Sequence, residues 1–250
     1  MSGRQQLQQA YEQYHASGHY DQRYPQPNPR VMQLIRAHLP QQGHVLDFGC
    51  GSGRYLLPLL DQAGRLIALD NSAAALARLA ERLPPDAAPV HMLTSVGPTL
   101  EAHIERHGPL DLALCLFGVL AHIAPTAERQ RVLQQIRRSL RAGDGYLLLS
   151  VPNRYRRFWW RQLRTGAQVR YQRQLQGTTI ALDYQLFAAR TLRHELQQAG
   201  FVLEHLHAES MLPESWVARW PRVRPLDRWL CRLLPASWGY GLLAVARGQS

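Results

Sequence analysis

From His44 to Pro152 the chain alternates short apolar runs with longer amphipathic ones, and this alternation restricts the fold more than any other feature. HVLDFG, RLIALD, PVHMLTS, LDLALCLFGVL and GYLLLSV read as five strands. Between them, RYLLPLLDQAG reads as a helix closed by Gly64, and SAAALARLAERL as one that Ser72 can cap. ERQRVLQQIRRSL sets Val132, Leu133, Ile136 and Leu140 on one helical face and its arginines mostly on the other. Parallel neighbours cannot be joined by a hairpin, so strands spaced by such crossovers predict a parallel sheet. After Pro152 the alternation lapses into basic, aromatic sequence, then resumes with TIALDYQLF, a helix TLRHELQQAG, a strand FVLEHLHAE and a last strand GYGLLAVAR. The fold class expected is α/β: a doubly wound, mostly parallel sheet with helices on both faces.

Before the alternation, residues 5–24 are polar and carry Tyr11, Tyr14, Tyr20 and Tyr24. They end at YPQPNP, whose three prolines stop a helix. RVMQLIRAHL then places Val31, Leu34, Ile35 and Leu39 at helical spacing. Residues 1–40 are therefore expected to form an arm or lid, and residues 41–250 one domain with a basic aromatic insertion at 153–176. The opening MSGRQQLQQAYEQYH lacks the apolar core of a secretion signal, and no apolar run approaches the roughly 20 residues that span a bilayer. A cytoplasmic place is expected. Cys50, Cys115 and Cys231 lie far apart, without the C-x-x-C pair of a zinc or redox site, so no metal is expected.

The stretch GCGSGR, at residues 49–54, follows the first strand, and three loop chemistries compete for it. A phosphate-cradling loop needs Gly-Lys-Ser/Thr, and the chain has no lysine. A dinucleotide loop needs a glycine where Arg54 stands. There remains a loop closing on a nucleoside without a pyrophosphate, where glycines admit the main chain and helix-start amides face a carboxylate. Asp70 ends the second strand about 20 residues on, where a carboxylate can accept two hydrogen bonds from a ribose diol. Asp70 also reads as the start of a turn, DNS, and Cys50 as a small residue fitting a tight turn rather than a nucleophile.

VLDFGCGSGRYLLPL, LIALDNS, LCLFGVLAHI and LRAGDGYLLLSVPN together resemble the class I S-adenosylmethionine-dependent methyltransferase family, from Val45 to Asn153 and more loosely to Gly248. The resemblance implies a seven-stranded Rossmann-like sheet with a reversed last strand, and S-adenosyl-L-methionine as cofactor. It implies that Asp47 and Gly49, Cys50, Gly51, Ser52 and Gly53 line the methionine end. Asp70 would hold the ribose hydroxyls, with Asn71 beside the adenine and Phe117 beside the cofactor. The third strand ends in Thr94, Ser95 and Val96 where the family has an acid, leaving the adenine contact to backbone groups or to Ser95.

Methyl transfer from a sulfonium needs alignment and exclusion of water, and a general base only if the acceptor holds a proton. His122, just past the fourth strand, is the candidate base, and Tyr24 the candidate lid residue. The formal charge of +11 concentrates in two segments. One holds Arg154, Arg156, Arg157, Arg161 and Arg164 among Tyr155, Phe158, Trp159 and Trp160; the other, at 210–238, holds Trp216, Trp220 and Trp229 among arginines. Both are expected on the acceptor side. The mixture suits an anionic membrane surface and a small-molecule or lipid-linked acceptor. RNA is the alternative, since YDQRYPQPNPRV resembles a segment of tRNA wobble-uridine methyltransferases. A non-catalytic cofactor-binding module is the second alternative.

Overall fold

In the computed structural model, which describes residues 12–249 apart from 14, 96, 159–161, 164–165 and 176–177, the five expected strands lie side by side. They are β1 (His44–Phe48), β2 (Arg65–Leu69), β3 (Val90–Leu93), β4 (Leu112–Cys115) and β5 (Tyr146–Pro152). With β8 (Phe201–Ser210) and β9 (Gly241–Gly248) they form a seven-stranded sheet in the order β3-β2-β1-β4-β5-β9-β8. All pairs through β5 are parallel, and the last strand, β9, runs antiparallel between β5 and β8. This is the doubly wound sheet with a reversed last strand that the sequence predicted.

The central strands are apolar on both faces, as strands covered twice must be. Leu46, Ile67, Ala113, Leu147 and Leu149 enter one core with α4 (Pro98–His107), α5 (Thr126–Ser139) and α6 (Ala189–Gln198). Their neighbours Val45, Leu66, Ala68, Leu112, Leu114 and Leu148 enter the other, with α2 (Pro29–His38) and α3 (Ala73–Arg82). The helix starts are chemically marked. Asn28 accepts from the Arg30 N–H ahead of Pro29 at the first turn of α2, and Ser72 accepts from the Ala75 N–H at α3. A short helix, α1 (His19–Arg23), precedes them.

Three local readings are corrected, and one segment that had no reading is resolved. RYLLPLLDQAG is a run of turns with one 3-10 turn at Leu57–Leu59, because Pro58 has no N–H to continue a helix. Gly64 is required there for space, since a Cβ would lie 2.3 Å from the Gln42 carbonyl oxygen. TIALDYQLF does not rejoin the sheet: β7 (Thr178–Gln185) pairs antiparallel with β6 (Gln168–Leu175) in a separate hairpin that the insertion forms. The segment at 210–238 is helical, with α7 (Glu214–Arg219) and α8 (Arg224–Leu233). And Arg129 of α5 is buried rather than solvated. Its Nε and Nη2 donate to the two Glu195 oxygens at 3.0 and 2.8 Å, which ties α5 to α6. Tyr11, Tyr14, Trp159, Trp160, Arg161, Arg164 and Val96 lie outside the described residues.

A buried ion pair is expensive to break on one side only, because the surviving charge is left without its partner. Glu195→Ala is expected to destabilise the fold by about 3–5 kcal/mol in urea unfolding, and Arg129→Met with Glu195→Leu to recover most of that loss.

Candidate functional site

The carboxyl ends of β1, β2 and β4 meet at one edge of the sheet, the edge at which open α/β sheets gather ligands. After β1 the chain enters the glycine loop, where Gly49, Gly51 and Gly53 have φ of 75°, 54° and 85°, a region that favours glycine. A Cβ at Gly49 would lie 2.5 Å from Val119, and one at Gly53 2.5 Å from Leu79 of α3, so both positions are filled by packing. Gly51 is different. A Cβ there would meet only the imidazole of His15, at 3.1 Å, and Tyr20 beyond it.

Backbone donors tie this loop to the end of β2. The N–H groups of Gly49 and Cys50 donate to the Leu69 carbonyl at 2.7 and 3.1 Å. Asp70 receives the Gly51 N–H on Oδ2 at 2.8 Å and the Ser72 N–H on Oδ1 at 2.9 Å. Asp70 thus starts the DNS turn and also faces the loop; the two readings of its sequence coexist. Asp47 is buried on β1 behind the loop. Burial raises its pKa to about 7, with the Asp70 charge adding to the effect. Burial raises Asp70 too, against the N–H groups of Ser72 and Gly51 and the His15 charge. Burial, then Asp47 and Asp70, push the Cys50 thiol well above its ordinary range, so it packs the turn as a thiol and is no nucleophile.

The polar arm closes over this edge. Glu12 reaches the start of α3, accepting from the Ser72 hydroxyl at 3.0 Å and from the Ala73 and Ala74 N–H groups at 2.7 and 2.9 Å. Burial works to raise the Glu12 pKa, but these bonds outweigh it and hold the carboxyl below its usual value. Asp21 accepts from the Ser52 hydroxyl and from Arg82 Nη1, the latter at 3.3 Å. His15 is buried, and burial keeps its imidazole below the usual histidine range despite the charges of Asp70, Asp21 and Glu12.

Tyr24 is buried with its ring 4.6 Å from Phe117, edge to face, and Tyr20 lies 6.1 Å from the same ring. Phe117 has φ 61°, rare for a side chain of its size, and its N–H donates to the Ser150 hydroxyl at 2.6 Å. The Arg54 guanidinium is buried among these rings, 4.8 Å from Phe117, 5.3 Å from Tyr24 and 5.2 Å from Tyr55, with Nε donating to the Gln26 carbonyl at 2.9 Å.

Of the residues expected from the sequence, Asp47, Gly49–Gly53, Asp70, Phe117 and Tyr24 are therefore brought to one place. Asn71 and Ser95 stand exposed after β2 and β3, and the Ser95 carbonyl accepts from the Thr99 hydroxyl at 3.0 Å. His122 sits in the 3-10 turn Val119–His122, its ring 4.7 Å from Tyr184 of β7. The Tyr184 hydroxyl accepts from Arg157 Nη1 at 3.2 Å and lies 2.9 Å from where a Gly118 Cβ would be, beside Phe117. The sequence reading passed over the parts of His15, Arg54 and Tyr184. Arg54 was visible as the charge that directly follows the loop; Tyr184 was not, since nothing in the sequence brought the hairpin to β4.

Comparison with known proteins agrees with this geometry. Residues 18–206 match the family model described as a methyltransferase domain. The chain is 32% identical over 102 residues to a dTDP-3-amino-3,6-dideoxy-alpha-D-glucopyranose N,N-dimethyltransferase of Streptomyces fradiae. That match covers 41% of this chain and 37% of the relative, so the chain spans little more than a third of that curated protein's length. Among solved structures it is similar to the CcbJ methyltransferase of Streptomyces caelestis, with a TM-score of 0.62, 16% identity, and 90% and 91% of the two chains covered. It is similar also to a 1,6-didemethyltoxoflavin-N1-methyltransferase of Burkholderia thailandensis, with a TM-score of 0.55, 22% identity, and 89% and 78% covered.

The buried acid behind the loop gives a pH signature. Asp47 in the folded chain keeps its proton to about pH 7, whereas the unfolded carboxyl loses it near pH 4. Between these values the folded state binds more protons, so this residue's contribution to stability falls as pH rises and is lost above about 7. Asp47→Asn is expected to gain about 2–4 kcal/mol over the wild type across that window in urea unfolding, with no difference below it.

Proposed function

The chain belongs to the class I S-adenosylmethionine-dependent methyltransferase family, and from that premise we propose that it moves a methyl group from S-adenosyl-L-methionine to a small-molecule acceptor. The observation that carries this reading is the glycine loop held against Asp70 by the Gly51 N–H, with Gly51 covered by the His15 imidazole of the arm rather than by a side chain of the loop. The donor set fits the cofactor's chemistry. Asp70 would accept from a ribose diol, Asp47 would face an ammonium, and the Arg54 guanidinium beside the loop would suit a carboxylate. The exposed Asn71 and Ser95 border the side on which an adenine would lie.

When bound, the cofactor supplies an electrophilic methyl on a sulfonium, transferred by in-line displacement. The protein's share is positioning. Tyr20 and Tyr24 of the arm, packed with Phe117, exclude water from the edge of the sheet. His122, beside Tyr184, takes a proton if the acceptor is a hydroxyl, and is dispensable if the acceptor is an unprotonated amine. Support for a small acceptor comes from the names of the similar proteins, which act on an amino sugar nucleotide and on a toxoflavin precursor. The same reading extends to an acceptor carried on a lipid, which would require in addition a surface that meets a membrane.

Calorimetric titration with S-adenosylmethionine is expected to show binding that Asp70→Ala weakens by about tenfold or more, as the loss of charge-assisted hydrogen bonds predicts; unchanged affinity rejects the assignment. Incubation with methyl-labelled cofactor and separated small-molecule, lipid and RNA fractions is expected to place label in small molecules, and label in RNA alone overturns that choice. With a hydroxyl acceptor, His122→Asn is expected to lower kcat by about a hundredfold with cofactor affinity unchanged.

A further inference from the structure

Described residues at the start of the first basic segment bond to the second, far away in sequence. Asn153 is fully buried and donates through Nδ2 to the carbonyls of Ser237 and Gly239, at 2.7 Å each. Arg156 donates to the carbonyls of Trp238 and Met211, at 2.9 and 3.4 Å, and Arg157 to that of Tyr240, at 3.2 Å. The insertion after β5 is thereby stitched to the turn that follows α8.

Helix α8 is apolar on two sides. Asp227 fixes its rotation: Oδ1 accepts from the N–H groups of Met211 and Leu212, at 2.8 Å each, and Cys231 donates weakly to Oδ2. That anchor turns Cys231, Leu230 and Leu234 onto Ala208 and Met211. The adjacent face, one residue out of step, presents Leu226, Trp229 and Leu233, which are 51%, 57% and 60% exposed. Trp216 and Trp220, 5.7 Å apart at α7, and Trp238 in the turn after α8 are exposed to similar degrees. Burying the inward side already satisfies the core, so the fold gives no reason for the outer one. Scattered exposed apolar residues are ordinary, but three large ones in line on one helix, with a pair of exposed indoles at the helix before it, mark a site of contact.

Charge says what the contact is with. Arg219, Arg222, Arg228 and Arg232 are exposed around these residues, and among the described residues none of them forms an ion pair. Asp227, the acid of α8, is turned inward. An apolar strip of Trp and Leu bordered by unneutralised arginines matches the interface of an anionic bilayer, where indoles sit at headgroup depth and guanidinium groups meet lipid phosphates. We propose that α7, α8 and the Trp238 turn form a docking surface for anionic lipid membranes. Arg157 donates both to the Tyr240 carbonyl, just past the Trp238 turn, and to the Tyr184 hydroxyl of the hairpin, so docking would bring that hairpin near the bilayer.

The test uses the full chain and sedimentation with vesicles of phosphatidylcholine alone or mixed with phosphatidylglycerol, and needs no methyl acceptor. The wild type is expected to bind the anionic vesicles at least about tenfold better than the neutral ones. Trp229→Ser with Leu233→Ser, both at exposed positions, should weaken that binding by about tenfold or more, while S-adenosylmethionine affinity by calorimetry stays the same. Arg228→Gln with Arg232→Gln should reduce the preference for anionic vesicles. A wild type that stays in the supernatant, or a Trp229/Leu233 variant that sediments as it does, overturns the proposal. So does a wild-type dimer in analytical ultracentrifugation that this variant dissolves, which would make the face a contact between copies.

Discussion

Four backbone N–H groups, those of Gly49, Cys50, Gly51 and Ser72, converge on the last carbonyl of β2 and the carboxylate that follows it. Without this convergence the loop after β1 has no fixed path, since three residues at positive φ are costly to order and are held by what they bond to. Everything else at the sheet edge refers to it. The loop's position presents Ser52 to Asp21, Gly51 to His15 and Gly53 to Leu79, and so decides where the arm lies and how closely α3 approaches.

The same convergence explains the electrostatics. A chain with a formal charge of +11 keeps two carboxyls, Asp47 and Asp70, buried side by side beneath that loop. The Asp70 charge adds to the cost of ionising Asp47, whereas the Gly51 and Ser72 N–H groups compensate Asp70 itself.

The strands and the loop were readable because each is local: short continuous apolar runs, buried on both faces, and glycines at fixed intervals before an acid. The reading failed where a decision depended on distant sequence. Arg129 looks solvated on a helical wheel and becomes buried only because Glu195 arrives from α6, beyond three intervening strands. TIALDYQLF has strand composition, yet composition could not say that its partner is the insertion rather than the sheet. Pro58 was the opposite case, a local signal strong enough to break a helix that the apolar spacing favoured. At the site, Asp70 and Phe117 were legible from their place at strand ends. The aromatic packing around Arg54 was not, because it is assembled from residues in the arm, the loop and β4.

Glu12 caps a helix that begins some 60 residues after it. Helix caps are usually local, supplied by the residue just before the helix, and Ser72 already fills that place at α3. The second cap ties the arm to the same turn that Asp70 organises, while Asp21 ties it to Ser52 and Arg82. The arm is thus latched on both sides of Gly51. Lifting the arm off the sheet edge therefore means breaking carboxylate contacts at two separate places, one at the start of α3 and one at Ser52 and Arg82.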